Sequence, residues 1–308
     1  MKYLFGPVPS RRLGMSLGVD LVPFKTCTFD CLYCELGRTT CHTAKRDSYV
    51  PAAAVLAELE EFFRSPSGTA CDYVTLSGSG EPTLNRDLET IIREIRQLTA
   101  VPVALLSNSS LFHLPEVRAA VAGVDVILPS LDAVSEAVFT RLNRPVPGLT
   151  AAMLVDGLAA LRREFQGEIW LEILFCQGIN DDEAEIDRLQ AAVARIEPDR
   201  LQLNTVVRPA AYREARPVSD AFLRRLRQRW GELAEIVVPF RHRQLSDIQA
   251  DKEEMILATL KRRPCTTSDL AASCALAPAE VVKYLDLLRQ AGKVRKQEHA
   301  GETFYFAG

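Results

Sequence analysis

No run in this 308-residue chain is apolar for the length of a bilayer crossing. The opening stretch MKYLFGPVPSRRLG is interrupted by Gly6, Pro7 and Pro9 before it reaches the apolar length of a signal peptide, so the expected location is cytoplasmic. Excess charge is also missing. The 37 basic and 40 acidic residues leave a net charge of -3, which argues against a nucleic-acid coat protein and against general attraction to anionic membranes. Nor is there a disulfide framework: of eight cysteines, those at 41, 71, 176, 265 and 274 are scattered, as suits a reducing compartment. No internal repeat or low-complexity tract occurs, which sets aside solenoid and linker-rich architectures.

The remaining three cysteines stand together in CTFDCLYCELG (27–37), as Cys27, Cys31 and Cys34. Thiolates at such spacing converge on metal, yet a structural zinc site takes four ligands and an ordinary cubane cluster takes four cysteines. Two completions fit the residues. A zinc knob would recruit Cys41 or His42; alternatively, three thiolates would hold three irons of a [4Fe–4S] cube, leaving the fourth open to a ligand that brings its own donors.

From residue 16 to about 207, β-branched apolar runs alternate with longer amphipathic stretches, the pattern of repeated βα units on a parallel sheet. Six strands are expected, at 16–22, 72–77, 102–107, 124–130, 168–175 and 200–207, with helical patterns between them such as PAAAVLAELEEFF (51–63). Six strands predict a partial (β/α)6 TIM-like barrel, short of the eight of a closed one. A helix over 219–233 and the apolar IVVPF (236–240) complete a core domain of residues 1–240, and a linker follows at 241–250. Residues 251–308 predict helices at 252–262, 267–274 and 279–291, punctuated by Pro264, Pro278 and Gly292, then a hairpin around Ala300-Gly301. Three helices and a hairpin suggest a winged helix-turn-helix domain.

Active sites of parallel barrels collect where strands exit. The exits here carry the cysteine loop, SGSGEPTL (77–84), SNSS (107–110), SLDA (130–133), CQGIND (176–181) and NTVVRPAAYRE (204–214). The cysteine spacing, Tyr33 just before the third cysteine, and GEP after the next strand together resemble the radical S-adenosylmethionine superfamily, over roughly residues 14 to 210. The resemblance implies a [4Fe–4S] cluster on Cys27, Cys31 and Cys34, with S-adenosylmethionine chelating the open iron. It places Tyr33 against the adenine, Gly80, Glu81 and Pro82 at the methionine amino group, and Ser107, Asn108, Ser130 and Asp132 among the polar groups for ribose and carboxylate. Gly178 and Ile179 resemble the segment flanking the adenine.

The implied reaction is reductive cleavage of the sulfonium to a 5'-deoxyadenosyl radical that takes hydrogen from a substrate, fed by an electron donor such as flavodoxin or ferredoxin. Cys176 is a candidate hydrogen donor; the competing reading is a small buried hydrophobe. FGPVPSRRLGMSLGVD (5–20) and LNTVVRP (203–209) look like a prokaryotic group loosely related to wyosine-type tRNA-modifying synthases, whose second set of cysteines this sequence lacks.

Two substrate classes stay open, tRNA or another nucleic acid and a protein or peptide docked on the winged helix, and a third reading, outside catalysis, is a cluster-based redox-responsive regulator. Residues 208–243 hold nine arginines and no lysine, suited to phosphate or carboxylate docking or to a solvated helix face. Arg11 and Arg12 have two expected positions, below the barrel or folded back to its mouth. Residues 251–308 carry nine basic and eight acidic side chains, a slight balance for phosphate binding.

Overall fold

Period-two alternation and helical stripes assemble an α/β fold in the structure, a computed structural model that describes residues 2–65, 71–237, 252–274, 276 and 278–308. In chain order the elements begin β1 (Leu4–Ser10), β2 (Gly14–Val19), short β3 (Thr26–Cys27), short β4 (Cys41–His42), α1 (Ala52–Arg64) and β5 (Tyr73–Leu76). They continue with α2 (Leu88–Leu98), β6 (Val103–Ser107), α3 (Pro115–Ala120), β7 (Val126–Pro129), α4 (Glu136–Leu142) and α5 (Ala151–Glu164). Then come β8 (Glu168–Phe175), α6 (Glu183–Ile196), β9 (Arg200–Thr205), α7 (Asp220–Trp230) and β10 (Ala234–Ile236). The C-terminal elements are α8 (Lys252–Leu260), α9 (Thr267–Ser273), α10 (Pro278–Gln290), β11 (Val294–His299) and β12 (Glu302–Ala307).

The main sheet has eight strands in the order β1-β2-β5-β6-β7-β8-β9-β10. The six expected strands are its parallel centre, and β10 adds a further parallel partner beside β9. The chain-order succession, each strand returning through a helix, is that of a partial barrel. The antiparallel strand β1 was not expected, because Pro7 and Pro9 read as breakers. It is the edge of the sheet, where a missing N–H leaves no ladder bond unmade.

The helices bury the stripes their sequences offer. α2 turns Leu88, Ile91, Ile92 and Ile95 inward, spaced i, i+3, i+4, i+7, and α6 turns Ile186, Leu189, Val193 and Ile196 inward, spaced i, i+3, i+7, i+10. Thr150, Asp182 and Ser219 cap α5, α6 and α7 by accepting backbone N–H bonds from Met153, Glu185 and Phe222. β8 is buried along both faces after its first residue, as a central strand covered by helices outside and side chains inside requires.

Alternation layers the interior. Ala104, Val126, Leu128 and Trp170 fill one end with Leu13. Above them Ser16 and Thr75 share a 2.6 Å hydrogen bond, and Asn204 donates to Glu172 at 2.8 Å. An apolar plug below and polar side chains above leave the chemistry to the strand exits.

α8, α9 and α10 are followed by the antiparallel β11–β12 hairpin, turned at Ala300 and Gly301 with φ of 50° and 83°. They have their own apolar cluster, including Ile256, Leu260, Leu270, Val281, Leu285 and Leu288. Thr266 and Asp269 form a reciprocal capping box on α9. The linker expected at 241–250 lies outside the described residues, as do Arg241, Arg243 and 238–240 of IVVPF.

Candidate active site

The cysteine loop is pinned at both flanks. Phe29 is buried edge-on against Phe139, with ring centroids 5.5 Å apart. Leu32 enters an apolar cluster with Leu142, Leu174 and Cys176, and its N–H donates to the Leu142 carbonyl at 2.9 Å. These anchors leave Cys27, Cys31 and Cys34 half-buried.

Each thiol sulfur has a side-chain N–H donor. Lys25 Nζ lies 3.0 Å from Cys34 Sγ, Asn108 Nδ2 3.4 Å from Cys27 Sγ and Asn143 Nδ2 3.6 Å from Cys31 Sγ. Burial, with Glu81 nearby, pushes the Cys27 thiol up to about 12. Burial and then the two neighbouring thiols push Cys31 well above its ordinary value. Such a trio becomes thiolate when cations arrive to balance it.

The zinc-knob completion does not form. β4 runs beside β3, but Cys41 is exposed and His42 Nε2 sits 3.0 Å from the Thr28 carbonyl. Among the described residues, no three His, Cys, Asp or Glu side chains surround a point that would hold one ion.

SGSGEP abuts the loop through its backbone. Lys25 N–H donates to the Ser79 carbonyl at 2.6 Å, and Glu81 N–H to the Thr26 carbonyl at 3.1 Å. A Cβ on Gly80 would stand 1.9 Å from the Thr26 carbonyl oxygen, so only glycine permits this approach. Gly78 has a φ of 131°, and a Cβ there would meet Asp20. The Glu81 carboxylate is buried and accepts from Thr83 N (3.1 Å), Thr83 Oγ1 (2.6 Å), Ser107 Oγ (2.8 Å) and Asn108 N (2.8 Å). It caps the 3-10 turn Pro82–Leu84 and ties that turn to the exit of β6. Burial raises its pKa against the lowering effect of these donors.

Ser107 and Asn108 therefore face the thiols from the next exit, with Asn108 Nδ2 also 2.8 Å from Thr28 Oγ1. Ser130 continues the rim, where its carbonyl accepts from Ser109 Oγ at 2.7 Å. Asp132 lies deeper. It accepts from Tyr33 Oη, from Asn143 Nδ2 at 3.0 Å and from Leu174 N at 2.9 Å, so both oxygens are committed to holding the loop. These bonds anchor Tyr33 and the loop to the exit of β7.

Cys176 lies below the rim. The thiol is fully buried in the apolar cluster with Leu32 and Leu142, its pKa raised by burial. Gly178 is exposed with a φ of 72°, while Ile179 packs into that same cluster.

Several residues had no sequence signal. Asn143 reaches Cys31 across 112 positions and belongs to no motif. Lys25 sits two residues before Cys27, outside the cysteine motif. Arg11 and Arg12 fold into the barrel: Arg11 Nη1 is 3.2 Å from Asn204 Oδ1, and Arg12 pairs with Glu172. Of the arginine-rich segment, Arg208 is buried against Glu35 at 3.2 Å, whereas Arg225 and Arg229 pair with Glu183 on α6. Two cavities adjoin the site. An inner one of about 330 Å³ is lined by Tyr33, Cys34, Arg11, Arg12 and Arg208. An outer cleft of about 730 Å³ lies between Phe24, Glu35 and Ser79 on one side and Leu260–Pro264 and Arg295 on the other.

The family model described as the Radical SAM superfamily matches residues 21–189. A Brachyspira hyodysenteriae protein named GTPase Obg is 35% identical over 307 residues, covering 99% of this chain and 45% of the relative. The chain thus spans less than half of that relative's length, and it carries no G-x-x-x-x-G-K-[ST] phosphate loop. A UPF0026 protein of Methanocaldococcus jannaschii is 32% identical over 217 residues, covering 70% of this chain and 67% of the relative. The crystal structure of Streptococcus suis SuiB bound to S-adenosylmethionine superposes with a TM-score of 0.53 at 14% identity, covering 80% of this chain and 57% of that one, a likeness of fold. No helix among the described residues is long and apolar enough to cross a membrane.

Proposed function

The chain belongs to the radical SAM superfamily, and from that premise we propose that Cys27, Cys31 and Cys34 hold a [4Fe–4S] cluster at which S-adenosylmethionine is cleaved to start hydrogen abstraction. The observation that carries this reading is the trio of half-buried thiols, each with its own N–H donor, at the strand exits beside SGSGEP. The thiols fit a cube better than a single ion, since a cube presents a separate iron to each sulfur and needs no common point. When bound, a reduced cluster supplies one electron to the sulfonium, whose C5'–S bond breaks to give methionine and a 5'-deoxyadenosyl radical that takes a hydrogen atom from the substrate.

The protein's own residues do the positioning. Lys25, Asn108 and Asn143 donate to the sulfurs and stabilise their negative charge. Gly80 lets the Glu81–Pro82 segment lie against the loop, where the methionine amino group would be held. Glu81 fixes that segment to Ser107 and Asn108, and Asp132 fixes Tyr33 on the adenine side, opposite Gly178 and Ile179.

The test is anaerobic reconstitution with iron and sulfide. The expected product bears about four irons per chain and forms 5'-deoxyadenosine on reduction, and Cys31→Ala does neither. Equal deoxyadenosine from Cys31→Ala refutes the assignment, and S-adenosylhomocysteine in its place would indicate methyl transfer.

α8 to β12 read as a winged helix-turn-helix domain that follows the barrel. The two cavities have small-molecule dimensions, so a polymer substrate would present one residue to them.

A further inference from the structure

We propose that the substrate carries an oxyanion, phosphate or carboxylate, received inside the barrel by Arg11, Arg12 and Arg208, with Glu35 occupying the guanidinium groups of Arg208 and Arg11 until it arrives. This rests on the reading of the cysteine loop as the reaction centre, because the same inner cavity is lined by Cys34 and Tyr33.

Three observations support the site. First, guanidinium capacity is left over. Arg208 is 7% exposed, and its Nε has no hydrogen-bond partner. Arg11 has five donors, yet it meets one amide oxygen at 3.2 Å and a carboxylate at 3.9 Å. Buried polar groups in this condition ordinarily signal a missing partner.

Second, the charge in the cavity is unbalanced. Five arginines line the cavity, Arg11, Arg12, Arg208, Arg262 and Arg263, against four carboxylates in or beside it: Glu35, Glu172, Asp20 on Arg262 and Asp269, 3.9 Å from Arg208. Burial, joined by neighbouring guanidinium groups, pulls Arg11 and Arg12 down to about 10, still charged at neutral pH. Arginine forks match phosphate and carboxylate oxygens in pairs, which gives the excess charge a defined ligand chemistry.

Third, the internal carboxylate is placed to exchange. Glu35 follows Cys34 directly and is bound by Arg208 at 3.2 Å, with Arg11 beyond. Its side chain is 31% exposed and also lines the outer cleft, so it can swing aside as an anion passes inward. The anion would then sit across the cavity from the thiols, anchoring the substrate by a group that does not react.

The test is calorimetric titration of the full chain, without cluster or S-adenosylmethionine, with inorganic phosphate and with succinate in chloride buffer at fixed ionic strength. Saturable binding of either anion is expected, and the stronger one assigns phosphate or carboxylate. Arg11→Gln should weaken binding about tenfold. Glu35→Gln should strengthen it severalfold, a gain that misfolding cannot mimic. Arg96→Gln, on the outer surface, should leave it unchanged. The proposal is overturned if neither anion saturates at millimolar concentration, or if Arg11→Gln and Glu35→Gln both bind as wild type does. Deoxyadenosine formation is assayed separately: if it persists while anion binding is absent, only the anion site falls.

Discussion

Arg262, two residues past α8, is the residue whose removal should most loosen the C-terminal elements from the barrel mouth. Its Nε lies 2.7 Å from Asp20 Oδ2, an Nη donates to the Lys2 carbonyl at 3.3 Å, and the guanidinium covers the Phe5 ring at 4.8 Å. Both ion partners are buried, with side-chain exposures of 9% and 8%. Breaking a buried pair from one side costs about 3–5 kcal/mol, because the remaining charge is uncompensated, against at most about 1 kcal/mol for an exposed pair. Asp20 would keep its 2.5 Å bond from Ser79 N, which places Arg262→Ala near the lower end, at about 3 kcal/mol. Adding Asp20→Asn removes the orphaned charge and should recover roughly half of the loss. Urea unfolding gives the stability change, and hydrogen exchange over residues 252–308 locates it. The reasoning is refuted if Arg262→Ala stays within about 1 kcal/mol of wild type, or if the double variant is no more stable than the single one.

Gly80→Ala should displace the loop, since the new methyl group would stand 1.9 Å from the Thr26 carbonyl oxygen; reconstituted iron content should fall well below that of wild type. Asn108→Ala removes the donor 3.4 Å from Cys27 Sγ and should shift the cluster potential to a more negative value in an EPR redox titration, with iron content retained. Glu81 carries a folded-state pKa raised above its ordinary 4.5 by burial, so the folded chain keeps that proton where the unfolded chain has released it. Its contribution to stability therefore falls as pH rises above about 4.5, and urea midpoints of Glu81→Gln should decline less over that range than those of wild type. Cys176→Ala should leave deoxyadenosine yield within about twofold of wild type, as a packing residue would, with a loss of stability of about 1 kcal/mol.

The parallel sheet was legible because its strands are buried on both faces and so read as β-branched runs, and the helices because their apolar stripes keep the 3.6-residue period. β1 was not, since edge strands tolerate prolines that would break a central one. At the site, the cysteine trio and SGSGEP were legible as motifs, and Gly80 proves to answer a local steric demand. Asn143 and Asp132 act through contacts made only by folding, 112 positions from Cys31 and 99 from Tyr33. Arg11 and Arg12 had two expected positions, and the β1–β2 turn decides for the interior. Cys176, just past β8, packs in the apolar cluster with Leu32 and does not line the inner cavity, a placement that only the folded chain decides.

The central claim is that the three thiols hold a cluster with one iron open to S-adenosylmethionine. The most direct measurement is the EPR spectrum of the reduced, reconstituted chain with and without that nucleotide. A [4Fe–4S] signal whose g-values shift on addition is predicted; a spectrum that S-adenosylmethionine leaves unchanged would contradict the account.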